Sequence, residues 1–180
     1  MAERDAVRRY AQAILEIAEA EGALEQVEDE LYRFARTVDE QGQLREALTD
    51  PGLPTERKRA VVEELLGARA SRHTVSLIEF LIVAGRAKDL AGIVEALATL
   101  AAAQRNAEFA EVRSAVPLDD EQRRRLAEAL ARATGTEVDL KVLVDPTVIG
   151  GVVARVGDQV FDGSIRRRLD LARDQLARMR

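Results

Sequence analysis

The chain has 180 residues, 47% hydrophobic and 33% charged, with only 3% aromatic and a formal net charge of −5. That length fills one medium domain or two small ones, and a composition dominated by Ala, Leu, Arg and Glu predicts an aliphatic, chiefly helical core. The lack of cysteine and the single histidine exclude disulfides, thiolate metal sites, cysteine nucleophiles and histidine-rich ligand sets.

No run approaches the ~18 apolar residues a membrane span needs, and the start MAERDAVRRYAQ lacks an apolar signal core. A soluble chain that stays in the cytoplasm is therefore expected. Residues 1–105 carry 14 Lys+Arg against 19 Asp+Glu, whereas residues 106–180 carry 13 against 13. The acidic first part disfavours nucleic acid and suits a basic amphipathic segment as partner.

In chain order, the first helix is expected over residues 4–21, with Val7, Tyr10, Ala11, Ile14, Leu15, Ile17 and Ala18 on one stripe and Gly22 as a left-handed cap. A second spans 24–40 on Leu24, Val27, Leu31, Phe34, Ala35 and Val38, closing at Gly42. A short third around Leu44, Ala47 and Leu48 stops before the Asp50-Pro51-Gly52-Leu53-Pro54 turn. Thr55 caps a fourth that ends at Gly67. Ser71 caps a fifth, whose run Leu77 to Ala84 is apolar nearly all round and so predicts the most buried helix. A sixth runs from about Asp89 to Gln104. Six helices with short loops make a bundle.

After Asn106 the texture changes. Glu111 to Val116 reads as a strand, and Asp119 with Gln122 as a capping box for a helix over 120–133. Val138, Leu140, Val142 and Val144 alternate with polar residues, as a half-buried strand does. Val152, Ala154 and Val156 alternate again up to a Gly157-Asp158 hairpin and a short strand at Gln159 to Phe161. A last amphipathic helix is expected from Ser164, through Ile165, Leu169, Ala172, Leu176 and Met179. The fold class is thus two domains: an all-α six-helix bundle over 1–106 and a small α/β domain over 107–180.

Candidate chemistry is sparse. Gly150-Gly151 lacks both the GxxxxGK[ST] and GxGxxG patterns and reads as a bulge or a close backbone approach. His73 has no second ligand, and Ser164 has no histidine in its domain to act as base. Asp145 beside Pro146 and Asp162 beside Gly163 read as turn residues rather than an acid–base pair. The runs Arg123-Arg124-Arg125 and Arg166-Arg167-Arg168 point about 100° apart on a helix and carry no aromatic interleaving, so a solvated, ion-paired face is expected rather than a phosphate site. No catalytic, cofactor-binding or metal residue is assigned. A nucleic-acid-binding helical protein and an enzyme with an unrecognised site remain the rival classes.

Four segments carry a family resemblance: RRYAQAILEIA at Arg8 to Ala18, Gly85-Arg86 after the fifth helix, SAVPLDDEQ at Ser114 to Gln122, and VDPTVIGGVVARVGDQVFDGSIRRRL at Val144 to Leu169. The last is the most specific, joining Gly150-Gly151, the Gly157 hairpin and the Asp162-Gly163-Ser164 helix start at set intervals. The chain resembles the delta-subunit family of F-type ATP synthases, to which the mitochondrial oligomycin-sensitivity-conferring protein belongs. It departs from the family at Ala84, where asparagine is frequent.

The resemblance implies a non-catalytic stator subunit without cofactors, which couples proton-driven rotation to ATP synthesis by tying the catalytic head to the peripheral stalk. Its implied partners are the N-terminal helices of alpha subunits for the bundle and the b subunits for the second domain, with no nucleic acid and no insertion into the membrane. Its implied place is the cytoplasmic face of a bacterial plasma membrane. The alpha helix would lie between the first helix, at Tyr10, Ala13, Ile14 and Ile17, and the fifth, at Ser76, Phe80 and Val83, where small Ala13 and Ser76 permit close approach.

Overall fold

The structure is a computed structural model that describes residues 2–164. Two compact units follow one another, Met1–Ala101 and Ala102–Arg180.

The helices before the first strand are α1 (Ala2–Ala20), α2 (Leu24–Glu40), α3 (Gly42–Thr49), α4 (Thr55–Leu66), α5 (Arg72–Val83) and α6 (Leu90–Gln104), with a 3-10 turn at Ala87–Asp89 ahead of α6. With α7 (Asp120–Thr134), which falls in the second region where a helix over 120–133 is expected, the described residues hold seven α-helices. The chain is mostly helical, with a small mixed sheet near its C-terminal end.

α1 ends as its glycine requires. Gly22 takes φ +62°, its N–H donates to the Glu19 carbonyl, and the Ala23 N–H donates to Ala18 at 2.9 Å. This is a Schellman closure, in which two otherwise orphaned carbonyls are satisfied. α2 closes differently from expectation. Gln41, not Gly42, breaks it by adopting φ −102°, ψ 94°, and Gly42 is already the first residue of α3. Thr55 likewise does not cap α4. Pro54 occupies the cap position with extended ψ 144° and no side-chain bond, so Thr55 is the first helical residue. Ser71 does cap α5, accepting from the Thr74 N–H at 3.2 Å.

The first unit's core is aliphatic, with Ile14, Leu31, Leu48, Ile78, Ile93 and Leu97 at 2% exposure or less. α5 is not enclosed all round, as its apolar run suggested. Val75, Leu77, Ile78, Leu81 and Ile82 are buried, but Phe80 is 44% and Val83 63% exposed. α6 is sheathed more fully, through Leu90, Ile93, Val94, Leu97, Ala98 and Ala101.

In the second unit, β1 (Ala107–Ser114), β2 (Glu137–Val144), β3 (Val152–Val156) and β4 (Gln159–Asp162) form a sheet of order β2-β1-β3-β4. β1 and β2 are parallel, with α7 as the crossover that a parallel pair requires. The β1–β3 and β3–β4 pairs are antiparallel. β1 begins four residues before the expected Glu111 and stops before Val116. Its core-facing Ala110 and Ser114 are too small to mark a strand face in sequence. α7 opens with the expected capping box, Asp119 accepting from the Gln122 N–H at 2.7 Å and Gln122 Oε1 from the Asp119 N–H at 3.0 Å. Ala110, Val112, Leu130, Ala154 and Val156 make the core, with Leu126, Val138, Leu140 and Val142 packed against it. The helix expected from Ser164 onward, with Arg166-Arg167-Arg168, lies outside the described residues.

Candidate functional site

α1 and α5 meet through an aromatic pair, the Tyr10 and Phe80 ring centroids lying 5.9 Å apart at 49°. Around it lies a strip of apolar surface. Ile17, Phe80 and Val83 are 46%, 44% and 63% exposed. Tyr10 and Ala13 are half-buried and Ser76 is exposed. The spacings 10, 13, 17 and 76, 80, 83 place each set on one helical face. Ile14 differs from this set. It is fully buried, because its position in the helical repeat turns it about 100° from Ala13 and into the core. It backs the strip and does not line it.

Large apolar side chains left in water forgo about 1.5–3 kcal/mol each relative to full burial. Ile17, Phe80 and Val83 thus leave apolar area uncovered on the helix faces that also carry Tyr10, Ala13 and Ser76.

Arg86, noted in the sequence only as part of the Gly85-Arg86 turn, lies against Tyr10. α5 closes at Gly85, φ +70°, whose N–H donates to Ile82 at 3.0 Å while the Arg86 N–H donates to Leu81 at 2.8 Å. This second Schellman closure folds Arg86 back over Tyr10, with the guanidinium carbon 5.3 Å from the ring centroid. Arg86 Nη1 donates to Asp89 Oδ2 at 3.1 Å. That bond first, and Tyr10 next, hold the Arg86 pKa above its ordinary value. The Gly85-Arg86 pair was visible in sequence as a helix end; its position over Tyr10 required the tertiary fold.

A second unsignalled group orients α5. Glu30 of α2 accepts from the Ser71 N–H at 2.8 Å and from Thr74 Oγ1 at 2.6 Å, both on Oε2, while Gln26 Nε2 donates to Oε1 at 3.0 Å. Partial burial acts to raise the Glu30 pKa, but the bonds from Thr74, Ser71 and Gln26 together hold it below the ordinary carboxylate value. A carboxylate at a helix N-terminus also complements the macrodipole. Its partners are 41 and 44 residues away in sequence, and no local pattern marks them.

The glycine-rich stretch is built from close backbone approach. Gly150 and Gly151 have φ of +63° and +77°, and a Cβ on Gly151 would come within 2.4 Å of the Gly163 carbonyl oxygen. Gly163 N–H donates to Val152 at 2.9 Å, and Ser164 N–H to Asp162 Oδ1 at 2.9 Å. Gly157, φ +54°, turns the β3–β4 hairpin at the first central position, where a type II′ turn places glycine. Asp145 accepts from both the Thr147 hydroxyl and the Thr147 N–H, at 2.6 and 2.9 Å. The hydroxyl bond is the largest cause of its lowered pKa, with Arg113 contributing. Asp145 and Asp162 each serve a turn in this way. Arg124 binds Glu121 and Glu128, Arg125 binds Glu121, and Arg123 Nε donates to the Leu118 carbonyl. His73 is exposed in the first turn of α5. Among the described residues no group of three or more His, Asp or Glu could hold a metal ion, and no helix is long and apolar enough to cross a membrane.

The model of the ATP synthase delta (OSCP) subunit family matches residues 6–176. The delta subunit of Parafrankia sp. (strain EAN1pec) is 43% identical across 97% of this chain, and that of Frankia alni 44% across 93%. The chain spans 65% and 60% of the lengths of these two relatives. Among solved structures, a chain of the Toxoplasma gondii mitochondrial ATP synthase hexamer is similar at TM-score 0.57 and 27% identity, covering 95% of this chain and 97% of that one. A chain of the Polytomella F-ATP synthase is similar at TM-score 0.50 and 28% identity, covering 55% of this chain and 88% of that one. With the family model matching nearly the whole sequence, the chain belongs to the ATP synthase delta (OSCP) subunit family.

Proposed function

We propose that the chain is a non-catalytic stator subunit of an F-type ATP synthase, tying the catalytic head to the peripheral stalk so that rotation is coupled to ATP synthesis. The helical region, residues 1–106, binds the N-terminal helix of an alpha subunit between α1 and α5, and residues 107–180 meet the b subunits. The work is mechanical, done by tight and non-reactive contact at the cytoplasmic face of a bacterial plasma membrane, without insertion into it.

The observation that carries this reading is the exposed strip of Ile17, Phe80 and Val83 beside Tyr10, Ala13 and Ser76 in a chain of the delta family. Amphipathic helices dock on such seats through anchors spaced i, i+3/i+4, i+7. The test is reconstitution with purified catalytic heads and b subunits. The chain is expected to join head to stalk, and heads whose alpha subunits lack their N-terminal residues are expected not to bind it. Equal retention by intact and truncated heads would overturn the docking assignment, and an assembly that couples fully without the chain would overturn the stator role.

A further inference from the structure

We propose that Arg86 is a specificity-determining cation at the end of the α1–α5 groove, fixing a carboxylate of the docked helix. The proposal rests on the docking reading above and adds the chemistry of one contact. Three observations carry it. The Schellman closure at Gly85 fixes the backbone of residue 86, through the 2.8 Å bond from its N–H to Leu81. The guanidinium carbon lies over the Tyr10 ring, 5.3 Å from its centroid, and Nη1 is tied to Asp89, whose side chain is only 9% exposed. The Arg86 side chain itself remains 31% exposed, next to the apolar seat formed by Phe80 and Val83.

A guanidinium has five N–H donors in a planar fork. One is on Asp89, so Arg86 can bridge that carboxylate and a second one arriving on the docked helix. A cation already immobilised by stacking and an ion pair loses little freedom on binding, which favours a specific contact over a diffuse one. The residues around it make this end distinctive. Residues 1–105 carry a surplus of acid, which attracts a helix of basic character. Arg86 sets a cation at this end of the groove. A docked helix that is basic over most of its length and acidic at one end would be held in a single register and direction.

The experiment is a calorimetric titration of the full chain with a synthetic alpha-subunit N-terminal peptide and a set of variants in which each Asp or Glu is singly replaced by Asn or Gln. Against the unaltered chain, one replacement is expected to weaken binding roughly fivefold, the scale of a partly exposed charge pair. Against Arg86→Gln, the same replacement is expected to have no further effect. Arg86→Lys keeps the charge, and is expected to keep sensitivity to that replacement; it tests the contact even if Gln disturbs the Schellman turn. Replacements that act equally on the unaltered chain and on both variants, or that have no effect on the unaltered chain, would overturn the assignment to Arg86 while leaving the groove intact. A peptide that fails to bind the unaltered chain at all would overturn the docking reading and this inference with it.

Discussion

Gly151→Ala is the sharpest perturbation the second unit offers, because two costs fall on one position and can be separated. At φ +77° an L residue is strained by about 1–2 kcal/mol. The new Cβ would also lie 2.4 Å from the Gly163 carbonyl oxygen and 3.2 Å from Ser164 Cα, a backbone overlap that a side-chain rotation cannot relieve and that adds about 1–3 kcal/mol. Gly157→Ala is the control. It has positive φ, and the nearest atom to its Cβ is a Glu108 carboxylate oxygen at 3.9 Å, so only the about 1–2 kcal/mol of backbone strain applies. The readout is hydrogen exchange at the Gly163 amide, which donates to Val152 at 2.9 Å. A local probe is needed because a chain of two compact units need not unfold in one transition. Gly151→Ala should lower protection there well beyond Gly157→Ala. Equal losses from the two variants would refute the close-approach explanation of the paired glycines.

Glu30→Ala removes the two hydrogen bonds that tie α2 to the start of α5 and one within α2, and is expected to cost about 1–3 kcal/mol in urea unfolding. The pH dependence has a definite sign. The folded pKa lies below the unfolded one, so the stabilisation is complete above the ordinary carboxylate pKa and disappears as pH falls through the folded value. Glu30→Ala should therefore flatten part of the acid limb of the stability curve, and an unchanged limb would contradict the tether. Asp119→Ala removes the side-chain half of the α7 capping box, the bond that Asp119 Oδ1 accepts from the Gln122 N–H, and should destabilise the second unit by about 1 kcal/mol, read by exchange in the first turn of α7. Thr147→Val deletes the hydroxyl bond to Asp145, so the Asp145 pKa should rise toward its ordinary value in a carboxyl-detected NMR titration; no movement would assign the shift to the Thr147 N–H and Arg113 instead.

What was legible in the sequence was whatever is encoded locally. Helix stripes, the left-handed Gly22, the Ser71 cap, the Asp119–Gln122 box and the alternation in β2 and β3 each depend on residues within a turn or two of one another. Boundaries failed where the backbone could end an element without a specialised residue, as at Gln41, or where a proline took the cap position from Thr55. The apolar run of α5 hid the most informative feature. Periodicity cannot distinguish a helix apolar all round because it is enclosed from one apolar on two sides because the second side waits for a partner. Ile14 and Ile17 look alike in sequence, yet one is wholly buried and the other 46% exposed. The Glu30 tether and the fold of Arg86 over Tyr10 join residues far apart in the chain, and were beyond any local reading.

The central claim is that α1 and α5 form a helix seat, and Ala13→Asp tests it most directly. Ala13 lies between Tyr10 and Ile17 on the exposed face of α1 and is half-buried, so an aspartate there would put a charge under a docked helix without entering the core. In a calorimetric titration with a synthetic alpha-subunit N-terminal peptide, the unaltered chain is expected to bind and Ala13→Asp to lose binding, with its helical circular dichroism unchanged. Equal affinity for the peptide in the two chains would contradict the account.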